Sequence, residues 1–76
     1  FENVHPDFFA KLKHLFPLLS ENDLRLCAYI RIGMENKQIA QMLSVQPNTI
    51  KTSRYRLRKK LNLTGESSME DFMRIF

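Results

Sequence analysis

Nowhere along the 76 residues do apolar and polar side chains alternate with the period of two that marks a half-buried strand. Apolar residues recur three and four apart instead, which is the period of a helix. Only two glycines are present, Gly33 and Gly65, and each falls where a helical pattern ends. The chain therefore predicts an all-α fold, a small bundle of about five helices without repeats or low-complexity tracts. A domain of this size buries only about 60% of its unfolded surface, enough for one core. Hydrophobic residues make up 43% of the chain, too many for a disordered tail.

The first helix is expected over residues 6–16. Pro6 suits the first helical position and Asp7 complements the positive end of the helix dipole. Phe8, Phe9, Leu12, Leu15 and Phe16 make one apolar stripe, and Pro17 blocks continuation. The second helix starts from Ser20 as N-cap, with Asp23 three residues on, close to a capping box. Leu24, Leu26, Cys27, Ala28, Ile30 and Ile32 leave it little polar face, so it should be packed on more than one side. Gly33 fits the left-handed position past its end. The third helix starts near Asn36 as N-cap, carries Ile39, Ala40, Met42 and Leu43, and ends by Ser44. The turn at residues 44–46 is expected to bury Val45. Pro47 opens a fourth helix over about 47–61, and Asn62 suits a left-handed C-terminal position. Ser67 or Ser68 caps a short last helix holding Met69, Phe72, Met73, Ile75 and Phe76.

Charge is concentrated on the fourth of these helices. Six of the twelve Lys and Arg residues fall within residues 51–60, and no acid occurs from 51 to 65. The net charge of +4 favours a polyanionic partner, but the clustering says more. Helical residues turn by roughly 100° each, so Ile50, Leu57 and Leu61 share the buried face. Lys51, Thr52, Tyr55 and Lys59 lie opposite, with Asn48 near the N-terminal end and Arg56 and Arg58 on the flanks. Arg54 sits beside the apolar stripe and is assigned a structural ion pair. Lys60 also lies off the outward face, with a phosphate or nothing as its partner. Solvated faces usually mix signs, and like charges four apart, such as Arg54 and Arg58, weaken an isolated helix slightly. A polyanion relieves that repulsion. A short helix, a tight turn and a basic helix form a helix-turn-helix, which puts its second helix into the DNA major groove.

Other chemistries find little support. Cys27 is the sole cysteine, which excludes an internal disulfide and a Cys-based metal site and suits a reducing cytosol. It sits within an apolar helix and is expected to be a small core residue. His5 and His14 have no ligand spacing, so neither a metal nor a cofactor is expected. No nucleophile–base pair, paired carboxylates or Gly-rich phosphate loop is present, so the chain is not expected to be an enzyme. No apolar run approaches the roughly 20 residues of a membrane span. The chain opens on Phe1 without an initiator Met, which points to a segment of a longer protein.

Residues 19–63 resemble the LuxR-type (GerE-like) bacterial helix-turn-helix domain. The likeness rests on Leu19-Ser20-Glu21-Asn22-Asp23, Gly33, Asn36-Lys37-Gln38-Ile39-Ala40, Val45, Thr49-Ile50-Lys51-Thr52 and Leu57-Arg58-Lys59-Lys60-Leu61, spaced without a gap. The length allows one domain over 1–76, read as an N-terminal helical extension (1–18), a helix-turn-helix core (19–63) and a C-terminal helix (64–76); the resemblance implies a compact four-helix domain whose third helix is the recognition helix. It implies recognition of double-stranded DNA by the helix at 47–61, with Lys51, Thr52 and Tyr55 at the base-facing positions. Lys37, Asn48 and Arg58 match places near the phosphates, where Arg56 and Lys59 are expected too. It further implies a homodimer through the last helix (Met69, Phe72, Met73, Phe76). Residues 1–17 resemble a sub-group of these domains at the C-terminal end of large bacterial sensor-regulators, which implies a sensory domain upstream in the same chain. The location implied is cytoplasmic, including the cytoplasmic end of a membrane-anchored regulator, with no membrane contact by this domain. The chain departs from the family pattern at Ser53, where His is frequent, at Asn62, where Gly is usual, and at Gln46, where Ser or Thr is usual. The rival to DNA is an acidic protein surface bound by the same basic helix.

Overall fold

The structure, a computed structural model, describes residues 7–63 and 68–75. These form five helices in chain order: α1 (Asp7–Leu15), α2 (Glu21–Arg31), α3 (Asn36–Leu43), α4 (Pro47–Lys60) and α5 (Met69–Arg74). No strand occurs among the described residues. Pro6, His5, Gly65, Ser67 and Phe76, each given a place from the sequence, lie outside them.

All five helices contribute to one core. Phe8 and Leu12 come from α1, Leu24 and residues 26–30 from α2, and Ile39 and Ala40 from α3. Ile50 and Leu57 come from α4, and Met69 and Met73 from α5. The second helix, expected to be packed on several sides, buries Leu24, Leu26, Cys27, Ala28, Tyr29 and Ile30. It packs against α1, α4 and α5, while α3 and α4 pack on each other. Arg31 at the end of α2 ties two neighbours to it. Its Nε donates to the Met73 carbonyl oxygen at 3.2 Å, and its guanidinium carbon lies 5.3 Å from the Phe8 ring centre.

The helix boundaries have local causes. Ser20 caps α2: its Oγ accepts from the Asp23 N–H at 3.2 Å, and Asp23 Oδ2 accepts from the Ser20 N–H at 3.0 Å, completing the capping box. The N-cap of α3 is Glu35, not Asn36, which is the first helical residue. The reason is Gln38, whose Oε1 reaches back to accept from the Glu35 N–H at 2.9 Å and so fixes the start one residue earlier. At the other ends, α2, α3 and α4 each terminate in a left-handed residue: Gly33, Ser44 and Asn62, at φ of 85°, 57° and 58°. In each case two backbone N–H groups turn back onto the last helical carbonyls, as from Val45 to Ala40 at 2.9 Å and from Ser44 to Gln41 at 3.3 Å. Ser68 caps α5, its Oγ accepting from the Asp71 N–H at 3.3 Å.

Some packing expectations fail. Val45 is 39% exposed, because it lines an open groove between α2, the end of α3 and the start of α4, a volume of about 310 Å³. Met42 is exposed at the rim of the same groove. Leu15 is also exposed: Leu12 of the same turn is fully buried and Phe9 and Phe16 pack against the core, which leaves Leu15 at the outer edge of the stripe. On α5, Met69 and Met73 are buried in this chain's own core and present no surface to a second copy. Phe72 is partly buried against Phe16, with ring centres 6.1 Å apart, and Ile75, just past the end of α5, is exposed.

Candidate nucleic-acid interface

The fourth helix is held by its inner side. Ile50, Leu57 and Leu61 are at most 3% exposed, and α4 packs on α2 and α3 through them. Arg54 lies on the same stripe and meets Glu70 of α5, Nη2 to Oε1 at 2.5 Å, as the sequence position predicts. Lys60 has a partner that the sequence did not reveal: its Nζ is 2.6 Å from Asp23 Oδ2, so it braces α4 against α2. Both acids respond. The hydrogen bond from Arg54 holds the Glu70 carboxyl below the usual carboxylate range against a smaller opposing effect of burial. For Asp23, burial pushes the carboxyl up, but hydrogen bonds from Lys60 and from Ser20 together outweigh it, and the net direction is down. The acids near α4 thus neutralise the cations on its inner side.

The outer side keeps its charge. Asn48, Lys51, Thr52, Tyr55 and Lys59 are spaced three and four apart and all are exposed. Lys37 is exposed at the start of α3, and Arg56 is exposed on one flank of α4. Arg58, on the other flank, is half-buried. Among the described residues, no carboxylate pairs with Lys51, Arg56 or Lys59. At 14 residues α4 is about 21 Å long, enough to traverse a major groove about 12 Å wide.

Two contacts order this outer stripe. The Lys59 amine sits 4.5 Å from the centre of the Tyr55 ring, a cation–π contact worth roughly 0.5–1 kcal/mol at an exposed site. It links a residue expected at the bases to one expected at the phosphates. Thr52 donates its hydroxyl to the Asn48 carbonyl oxygen at 3.2 Å, one turn back along the helix. Side-chain bonding of this kind is a known option for Thr within a helix, but no spacing pattern announces which Thr adopts it.

At the start of α4, Gln46 makes no side-chain capping bond, and Pro47 occupies the first turn. Ser53 lines the groove beside Asp23 and Arg25 and is not part of the outer stripe. No cluster of His, Cys, Asp or Glu that could hold a metal occurs among the described residues. No helix among them is long and apolar enough to cross a membrane.

The family model GerE, described as bacterial regulatory proteins of the luxR family, matches residues 17–72. The chain belongs to the luxR family. The match runs from the residue before Leu18 into α5, so it takes in α2, α3 and α4 whole, and α1 precedes it. The luxR family is one of regulatory proteins and not of enzymes. Response regulator UvrY of Escherichia coli (strain K12) is 34% identical over 56 residues, 74% of this chain and 26% of that protein. Response regulator UvrY of Shigella flexneri matches to the same extent. The luxR-family chain thus spans about a quarter of the length of these curated relatives. No solved structure matches it.

Proposed function

We propose that this chain is the output domain of a bacterial transcriptional regulator and binds double-stranded DNA in a sequence-specific way, with α4 in the major groove. The observation that carries the reading is the two-sided charge of α4. Its inner cations, Arg54 and Lys60, are paired with acids of the bundle, while Lys51, Arg56 and Lys59 face outward without a carboxylate partner among the described residues. Membership of the luxR family supports the regulatory role.

In this reading Lys51, Thr52 and Tyr55 reach base edges. Lys donates to guanine O6 and N7, and Tyr55 offers a ring and a hydroxyl. Lys37, Asn48, Arg56, Arg58 and Lys59 hold the phosphates and set the register. Lys37 and Asn48 stand in the first turns of α3 and α4, where the positive helix end favours a phosphate as well. Two copies would bind half-sites about one helical turn apart. With Met69 and Met73 committed to the core, the outer side of α5 around Ile75 and the accessible part of Phe72 is the surface left for pairing. The sensory part lies upstream in the same chain, as the names and lengths of the response-regulator relatives suggest, and the domain works in the cytoplasm.

A salt titration tests the central claim. The logarithm of the affinity for duplex DNA should fall linearly with the logarithm of salt concentration. Lys51→Ala should cost about 1–3 kcal/mol at the preferred site. Lys59→Ala should weaken binding to all sequences and reduce the salt slope by about one. Binding to an acidic protein surface that survives excess duplex competitor would replace DNA as the partner.

A further inference from the structure

The hydrogen bond within the outer stripe has a consequence for sequence preference, which rests on the DNA-binding reading above. We infer that Thr52 selects a thymine through its γ-methyl group and not through its hydroxyl.

A threonine hydroxyl carries one proton. Here that proton goes to the Asn48 carbonyl oxygen at 3.2 Å. The oxygen keeps its accepting capacity but has no donor to offer a base. Guanine O6 and N7, adenine N7 and thymine O4 are all acceptors, so none of them is served by Thr52 in this conformation; only the adenine N6 and cytosine N4 amines are left as partners for its oxygen, a contact that Thr52→Ser keeps and Thr52→Val loses. Of the two branches at Cβ, the hydroxyl is held against the helix backbone. The methyl is the branch left free, on a residue whose side chain is exposed on the stripe opposite Ile50 and Leu57.

The thymine C5-methyl is the one apolar group that standard base pairs present in the major groove. A methyl-to-methyl contact removes both from water, with no donor required. Lys51, the adjacent residue, supplies donors only. The pair therefore divides the work: Lys51 selects acceptor-rich guanine, and Thr52 selects the methyl of a neighbouring thymine. Tyr55, one turn further on, has its ring against the Lys59 amine.

The test uses the 76-residue chain and its preferred duplex, selected from a random pool. Deoxyuridine is substituted for each thymine in turn, which deletes only the C5-methyl, and affinity is read by fluorescence anisotropy. At one thymine per half-site the wild type should lose about fourfold, the factor for withdrawing one methyl-sized apolar group from water. Thr52→Val, which keeps a methyl branch and lacks the hydroxyl, should show the same thymine-to-uracil ratio at that position. Thr52→Ser, which keeps the hydroxyl and lacks the methyl, should show a ratio of about one. The inference is overturned by a consensus without thymine, by wild-type indifference to uracil throughout, or by a ratio that survives in Thr52→Ser and vanishes in Thr52→Val. Failure to retain any duplex would instead overturn the DNA-binding reading itself.

Discussion

Cys27 shows how far one residue's chemistry is set by its surroundings. It has no exposed surface, and burial, with a smaller repulsion from the Asp23 carboxylate, pushes its thiol up to about 12. An ordinary cysteine titrates near 8.5 and is partly thiolate at pH 8. Here the thiolate fraction at pH 8 is on the order of one in ten thousand, and the sulfur is out of reach of solvent. Only the thiolate is nucleophilic, so the native chain should be inert to thiol reagents. Alkylation by iodoacetamide at pH 8 should follow the small population of globally opened chains and accelerate steeply with urea. Prompt stoichiometric labelling of the folded chain would contradict the core assignment of Cys27.

Among the elements, the helix ends separate what spacing reveals from what it conceals. Gly33 and Asn62 carry their own signal, because Gly and Asn tolerate positive φ, and both hold the left-handed positions predicted for them. Ser44 carries no such signal, yet it takes φ of 57° because the two backbone bonds that close α3 require it. The start of α3 was hidden for a related reason: Asn36 is the better cap by type, but the Gln38 side chain decides the matter at Glu35. Burial followed the helical period wherever a neighbour lay opposite, as for Ile50, Leu57 and Leu61. It did not at Leu15, on the edge of its stripe, and the turn after α3 did not bury Val45, which lines the open groove. The outer stripe of α4 was legible because 48, 51, 52, 55 and 59 share a face by arithmetic. The partner of Lys60, 37 residues away, was not, nor was the internal bond of Thr52. The strain at Ser44 can be measured. A non-glycine residue in the left-handed region costs roughly 1–2 kcal/mol, and glycine gives back part of that gain through its freer unfolded chain. Ser44→Gly should therefore stabilise the fold by about 0.5–1 kcal/mol in urea denaturation. Gly33→Ala is the converse case: nothing lies within 4 Å of an added Cβ, so its loss of about 1 kcal/mol would come from the backbone alone. A neutral result for both would mean that these ends are looser than their hydrogen bonds suggest.

On the scale of the whole molecule, two ion pairs set α4 against the bundle, Arg54–Glu70 to α5 and Lys60–Asp23 to α2. They hold one side of the helix to the protein while the other remains charged toward solvent. The Glu70 side chain is 42% exposed, so solvent screening keeps that pair's contribution small, below about 1 kcal/mol. The sign of the pH dependence follows from the two carboxyls. Both are depressed in the folded chain, Glu70 by the Arg54 hydrogen bond and Asp23 by hydrogen bonds from Lys60 and Ser20 that outweigh its burial. A depressed carboxyl binds protons more weakly folded than unfolded, so its stabilisation is complete above the unfolded carboxylate range of about 4. It is lost as the pH falls through the lowered native values. Thermal melts followed by circular dichroism should give a Tm that changes little through this mechanism between pH 7 and about 5 and declines below about 4. Removing both cations, as Arg54→Met with Lys60→Met, should lower the neutral-pH Tm and make the acid decline shallower. The other acids of the chain still titrate, so some decline should remain. An acid decline as steep in the double variant as in the wild type would show that these pairs do not fix α4, and that its orientation rests on the Ile50, Leu57 and Leu61 packing alone.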